Sequence, residues 1–191
     1  QSADTTRADK LKQLEGLFSV GTGSLGATIN SMLNAFSDVA SAPTDLTART
    51  VVLTRMDETA SRMRAASQQL EDLQTGITSE LNEKISKINS IAQSIASVND
   101  QIARANGSGQ PPNDLLDRRD QLVRDLNQYV QTTSIPATDG TVGIFIGGSQ
   151  ALVLGTATAP VSLVQDFSGP TLNKLAITRS GTTITLDENA L

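Results

Sequence analysis

The chain has 191 residues, with no cysteine and no histidine, four Phe, one Tyr and no Trp. It therefore offers no thiol nucleophile, disulfide, imidazole acid–base pair or zinc or haem site of ordinary ligation, and its core must be aliphatic. The formal charge of −5 is spread, without a basic cluster or aromatic platform for nucleic acid and without an apolar stretch long enough to cross a bilayer.

The first amphipathic segment places Leu11, Leu14, Leu17 and Phe18 on one helical face. Gly21-Thr22-Gly23-Ser24-Leu25-Gly26 interrupts it. Its Gly-x-Gly-x-x-Gly spacing matches the dinucleotide fingerprint, but that motif needs a preceding strand, and helical spacing precedes this one. The run is read as an interhelical loop. A second helix carries Ile29, Met32, Leu33, Phe36, Val39 and Ala40 on its apolar side and ends at Ser41-Ala42-Pro43, since proline disfavours a helical predecessor and lacks a donor. Thr44 is the expected N-cap of the next helix, with Asp45 at its positive end.

That next helix dominates the sequence. One row of residues seven apart reads Leu53, Ala60, Ser67, Gln74, Leu81, Ile88, Ile95, Ile102, and a second, offset by three, reads Met56, Met63, Leu70, Ile77, Lys84, Ile91, Val98. Only Ser67, Gln74 and Lys84 break the stripe, which predicts one helix over about 44–106 lying along partner helices. About sixty helical residues reach roughly 90 Å, a length suited to spanning or bracing. Glu58/Arg62, Glu80/Lys84, Glu83/Lys87 and Asp100/Arg104 are i,i+4 pairs in the favourable order, each worth about 0.2–0.5 kcal/mol. Gly76 is the weak point, costing about 1 kcal/mol against alanine. Met56 and Met63 fall on the seam and are read as core filler.

Asn106-Gly107 ends the long helix, and 108–112 (Ser-Gly-Gln-Pro-Pro) forms the turn. Asn113 is the expected cap of a return helix over about 113–132, with Leu115, Leu116, Leu122, Val123, Leu126, Tyr129 and Val130 apolar. A short connection makes the two helices antiparallel neighbours. Asp114, Asp117 and Asp120 lie close on its surface. They are read as partners of the helix dipole and of Arg118 and Arg124 rather than as a divalent-ion site, because no calcium-loop motif accompanies them. The adjacent Arg118 and Arg119 suggest a tie to the following region through buried ion pairs.

Beyond Ser134-Ile135-Pro136 the period changes to two. Val142, Ile144 and Ile146 alternate with Thr141, Gly143 and Phe145; Gly147-Gly148 turns; Leu152 to Leu154 and Val161 to Val164 follow; Leu175 and Ile177, then Ser180-Gly181, then Ile184 and Leu186 read as a hairpin. The expected fold is α+β: an elongated helical bundle over 1–135 with a long antiparallel coiled-coil hairpin, continuing into a β-rich region over 136–191. Paired carboxylates such as Asp57-Glu58 diverge on a helix, and serine lacks a histidine base, so neither catalytic, cofactor-binding nor metal-ligating residues are assigned. Both ends are read as cuts inside a longer protein.

The run Asn113-Asp114-Leu115-Leu116-Asp117-Arg118-Arg119-Asp120-Gln121-Leu122, followed by Leu126, resembles the Asn-x-Leu-Leu-Asp-x-Arg-Asp-x-Leu signature of the flagellar hook-associated protein 1 family. Leu14-Glu15-Gly16-Leu17-Phe18, the run from Phe36 to Pro43, Arg49 to Leu53 and Ile146 to Gly155 are similar to further segments of that family, in the right order. The resemblance implies a structural subunit between hook and filament, extracellular, exported without a cleaved signal peptide, and not an enzyme. Its implied partners are further copies of itself, the hook protein, neighbouring junction or filament proteins and an export chaperone. It implies no cofactor, nucleic acid or membrane. Because that family polymerises through extreme terminal helices absent here, this chain alone is expected to be monomeric. The alternative reading is another secreted coiled-coil structural protein, such as a type III secretion translocator or needle-tip subunit.

Overall fold

A computed structural model describes all residues except 1, 19–20, 22–23, 108–111, 167–168, 170–171 and 188–191. The predicted turn at 108–111, the positions 22–23 of the glycine loop and the Leu17 side chain lie outside the described residues. Four helices come first: α1 (Ser2–Leu17), α2 (Leu25–Ser41), α3 (Leu46–Gly107) and α4 (Asn113–Leu126). Seven strands follow: β1 (Thr133–Pro136), β2 (Val142–Ile146), β3 (Gln150–Leu154), β4 (Ala157–Thr158), β5 (Val161–Gln165), β6 (Asn173–Arg179) and β7 (Thr182–Thr185). The fold is α+β, and all strand pairs are antiparallel, in a sheet ordered β1-β2-β3-β4 and a second ordered β5-β6-β7.

Helix starts follow local chemistry, with two departures from expectation. Ser24 caps α2, its Oγ accepting from the Ala27 amide at 3.1 Å. For α3 the cap is Asp45, not Thr44: its Oδ1 accepts from the amides of Thr47 at 2.8 Å and Ala48 at 3.3 Å. The carboxylate supplies both an acceptor and a negative charge at the dipole's positive end, which a hydroxyl one residue earlier cannot match. Asn113 does not cap α4 either. The helix already includes it, and the Pro112 carbonyl accepts from Leu115 and Leu116, each at 3.0 Å.

At the other end α4 stops at Leu126, short of the expected 132. Asn127 turns its side chain to the Thr132 amide (3.1 Å) and hydroxyl (2.9 Å), closing the chain into β1. Tyr129 and Val130, read as helical, lie in that turn, where Val130 is still buried. β1 and β4 were not anticipated: β1 has no alternating pattern, and β4 is only two residues long. The β6–β7 hairpin turns at Ser180 and Gly181, both at positive φ (49° and 80°), the backbone that a two-residue turn between twisted strands requires.

The chain forms two compact units, Gln1–Ile77 and Thr78–Leu191, with α3 contributing to both. In the second, Ile85, Ile88, Ala92, Ile95 and Ala96 of α3 share one core with Leu126, Val130 and the inner residues of both sheets, among them Ile144, Leu152, Val153, Val161 and Ile177. Leu122 and Val123 of α4 pack against it. The first unit is thinly packed: its buried residues, among those described, are Ala35, Val52 and Thr59.

Candidate functional site

The functional architecture centres on α3, which holds other elements in place. Its stripe divides. Ile88, Ile95, Val98 and Ile102 are buried, Ile95 and Ile102 completely. The same rows further toward the N-terminus are open: Leu53 is 67% exposed and Met63 48%. Met56 and Met63, read as core filler, are therefore solvent-facing side chains in this chain.

Where the stripe is buried it is also wider than two rows. A third row of residues seven apart, Ile85, Ala92, Asn99, Asn106, turns toward the sheets, and two of its members are amides. Asn99 is completely buried. Its Nδ2 donates to the carbonyls of Val142 and Gly155, both at 2.8 Å, and its Oδ1 accepts from the Val142 amide at 3.1 Å. Asn89 makes the same two-way contact with a different sheet: Nδ2 donates to the Val161 carbonyl at 2.9 Å, and Oδ1 accepts from the Val161 amide at 2.8 Å. In both cases the side-chain amide takes the place of a neighbouring strand's peptide group, and the residue it grips is the first of its strand.

A second grip acts on the turn between β1 and β2. Asn106 donates to the Asp139 carbonyl at 3.1 Å, and Arg119 of α4 donates to the Gly140 carbonyl at 2.9 Å. Gly140 has φ 87°, and a Cβ placed there would collide with the Asn106 side-chain amide. Glycine is required both by its backbone and by this close approach. Asp139 organises the turn through Oδ1, which accepts from the Thr141 hydroxyl at 2.7 Å and amide at 2.9 Å. The hydroxyl bond first, then the amide bond, hold its carboxyl below the usual aspartate range.

Arg119 thus reaches the β region, but through a backbone carbonyl. Its ion pair is with its own neighbour Asp120, at 3.8 Å, and not a buried bridge across elements. Burying a carboxylate partner would cost more than using a carbonyl already in place. Arg118 instead faces an open polar groove with Ser90, Ser94, Ser97 and Gln101 of α3. Among the expected surface pairs, Asp100 and Arg104 meet at 2.6 Å, whereas Glu58 pairs with Arg55 rather than Arg62, and Arg124 bonds Gln121 rather than Asp120. Among the described residues no group of three or more acidic side chains converges as a metal cage, and no helix is long and apolar enough to cross a membrane. Gly21 lies between α1 and α2, but Gly26, read as part of the loop, is in the first turn of α2, which Ser24 caps; among the described residues every strand comes later in the chain.

Sequence reasoning missed Asn89, Asn99 and Asn106. The signal was present for Asn99, which stands four residues after Ile95 and three before Ile102, a polar side chain inside the apolar band.

The family described as flagellar hook-associated protein FlgK helical domain matches residues 11–191. The chain belongs to this family. It is 28% identical to flagellar hook-associated protein 1 of Salmonella typhimurium and 28% identical to that of Escherichia coli, in each case over 90% of this chain and 32% of the relative. With the Bacillus subtilis protein of that name it shares 29% identity over 79% of the chain and 32% of the relative. The solved structure of the flagellar hook junction protein FlgK from Burkholderia pseudomallei matches with a TM-score of 0.83 and 28% identity, over 97% of this chain and 34% of that one. The chain therefore spans about a third of the length of the relatives it matches.

Proposed function

We propose that the protein carrying this chain is a structural subunit of the bacterial flagellum, forming the junction between hook and filament and catalysing no reaction. The observation that carries this reading is the likeness to the Burkholderia hook junction protein over 97% of the chain. The alternative, a translocator or needle-tip subunit of a type III secretion system, is not favoured, because the family match runs on through the β region to residue 191.

In this reading the subunit assembles with copies of itself, with the hook protein and with neighbouring junction or filament proteins. It is extracellular, leaves the cell without a cleaved signal peptide and is accompanied by an export chaperone. The helical part to about residue 135 serves as the frame, and the β-rich part over 136–191 is carried on it. The hydrogen bonds from Asn89, Asn99, Asn106 and Arg119 support that division of labour, because each runs from a helix to a strand start or turn. This chain by itself is monomeric.

Deleting the coding region and counting filaments tests the assignment. Cells that keep their hooks, bear no filaments and release filament protein into the medium are the expected outcome. Normal filaments on the deletion strain contradict it.

A further inference from the structure

We propose that Asn89 and Asn99 form a register lock that selects one axial position for the two sheets on α3. The apolar face of α3 does not select one by itself. Most of its buried apolar residues there, Ile85, Ile88, Ala92, Ile95, Val98 and Ile102, recur every three or four positions, with the small Ala96 beside them, so a sheet displaced by one helical turn, about 5.4 Å, meets a similar row of aliphatic side chains. Burial of apolar surface is non-directional and discriminates weakly between such positions.

The two amides do discriminate. Each presents one donor and one acceptor to the amide and carbonyl of a single strand residue, Val142 or Val161, at 2.8–3.1 Å. Asn99 adds the Gly155 carbonyl and so holds the start of β2 and the turn after β3 together. A slip by one turn leaves the Asn99 side chain, which is completely buried, and the backbone groups of Val142 and Val161, which are nearly so, without partners where water does not reach them; Asn89 is half-buried, and its discrimination comes through the buried Val161 groups it serves. Each buried group left without a partner carries its full desolvation penalty, which no new contact offsets. Asn106 bonds the same sheet's turn but is exposed, so water replaces that contact at little cost. The discrimination therefore falls on Asn89 and Asn99.

The separation of the two residues strengthens the lock. They lie ten residues apart, about 15 Å along the helix and roughly 80° apart around it, and each holds a different sheet. Rotation of the β region about α3 that preserved one contact would break the other. The arrangement is the counterpart, between a helix and sheets, of a buried asparagine that fixes the register of paired helices.

Because the chain has no cysteine, spin labels can be attached at Gln93→Cys and Ser149→Cys, both exposed, and the interlabel distance read by electron–electron double resonance. The otherwise unchanged chain should give one narrow distance distribution. With Asn89→Leu and Asn99→Leu together, a second population should appear, displaced by up to about 5.4 Å. Asn89→Ala alone, at a half-buried position that tolerates truncation and read with the second label moved to the exposed Thr182→Cys on the sheet that Asn89 holds, should broaden the distribution even where the double variant does not fold. An unchanged single distribution in the folded variants, with only a lower melting temperature, would show that the amides stabilise without selecting register and would overturn the proposal.

Discussion

Gly140 shows how tightly the β1–β2 turn is held. Its φ of 87° and the Asn106 side chain beside it leave no room for a methyl group. Gly140→Ala should lose about 1–3 kcal/mol, the left-handed penalty plus displacement of Asn106, measured by denaturant melts. Asp139 gives a pH signature at the same turn. Its carboxyl titrates below the usual range because Thr141 donates to the charged form. A lowered folded-state pKa means its contribution is present above about 3.9, the unfolded value, and is lost as pH falls through the lower folded value. Thr141→Val, which removes the hydroxyl donor but keeps the amide, should move the Asp139 titration upward toward the unperturbed range by carboxyl-carbon NMR. No movement would mean that the hydroxyl bond does not set it. None of this was legible in the sequence, because Asp139-Gly140 reads as an ordinary turn and its partners lie 33 residues earlier (Asn106) and 21 earlier (Arg119).

Among the elements, α3 was the most legible and the most misleading. Its existence, length and buried isoleucines follow from the seven-residue rows. The rows cannot say which stretch finds a partner, because an apolar side chain at a seam position looks the same whether covered or open. Here Ile95 is covered and Leu53 is not. Ile95→Ala should therefore cost about 2–5 kcal/mol, as for other fully buried large-to-small changes, while Leu53→Ala should stay within about 0.5 kcal/mol in this chain. Equal losses from the two, compared in denaturant melts, would contradict the division of the stripe. Gly76 has open space around it, with no neighbour within 4 Å of an added Cβ. Gly76→Ala should raise stability by about 1 kcal/mol through helix propensity alone, read from the shift in thermal midpoint; a loss would mean that the glycine serves the helix some other way. The strands from β2 onward were legible where alternation or an apolar run was strong. β1 was hidden because the return helix's apolar spacing carries on through Tyr129 and Val130, which lie in a turn instead, Val130 buried and Tyr129 exposed.

For the whole molecule, the α+β fold follows from a change of period near residue 135, whereas the attachment between its parts follows from amide side chains that no periodicity announces. The compact unit formed by Thr78–Leu191 has a continuous aliphatic core, and Gln1–Ile77 has few buried residues among those described. The proposal that this chain alone is monomeric can be checked by sedimentation at micromolar concentration. A single species of about 20.1 kDa is expected; a stable oligomer would contradict the proposal. The most direct measurement of the central claim is immunogold electron microscopy of sheared flagella, with antibody raised against this chain. One cluster of gold where hook meets filament is the result the structural-junction account predicts. Label along the whole filament, or none on flagella at all, would contradict it.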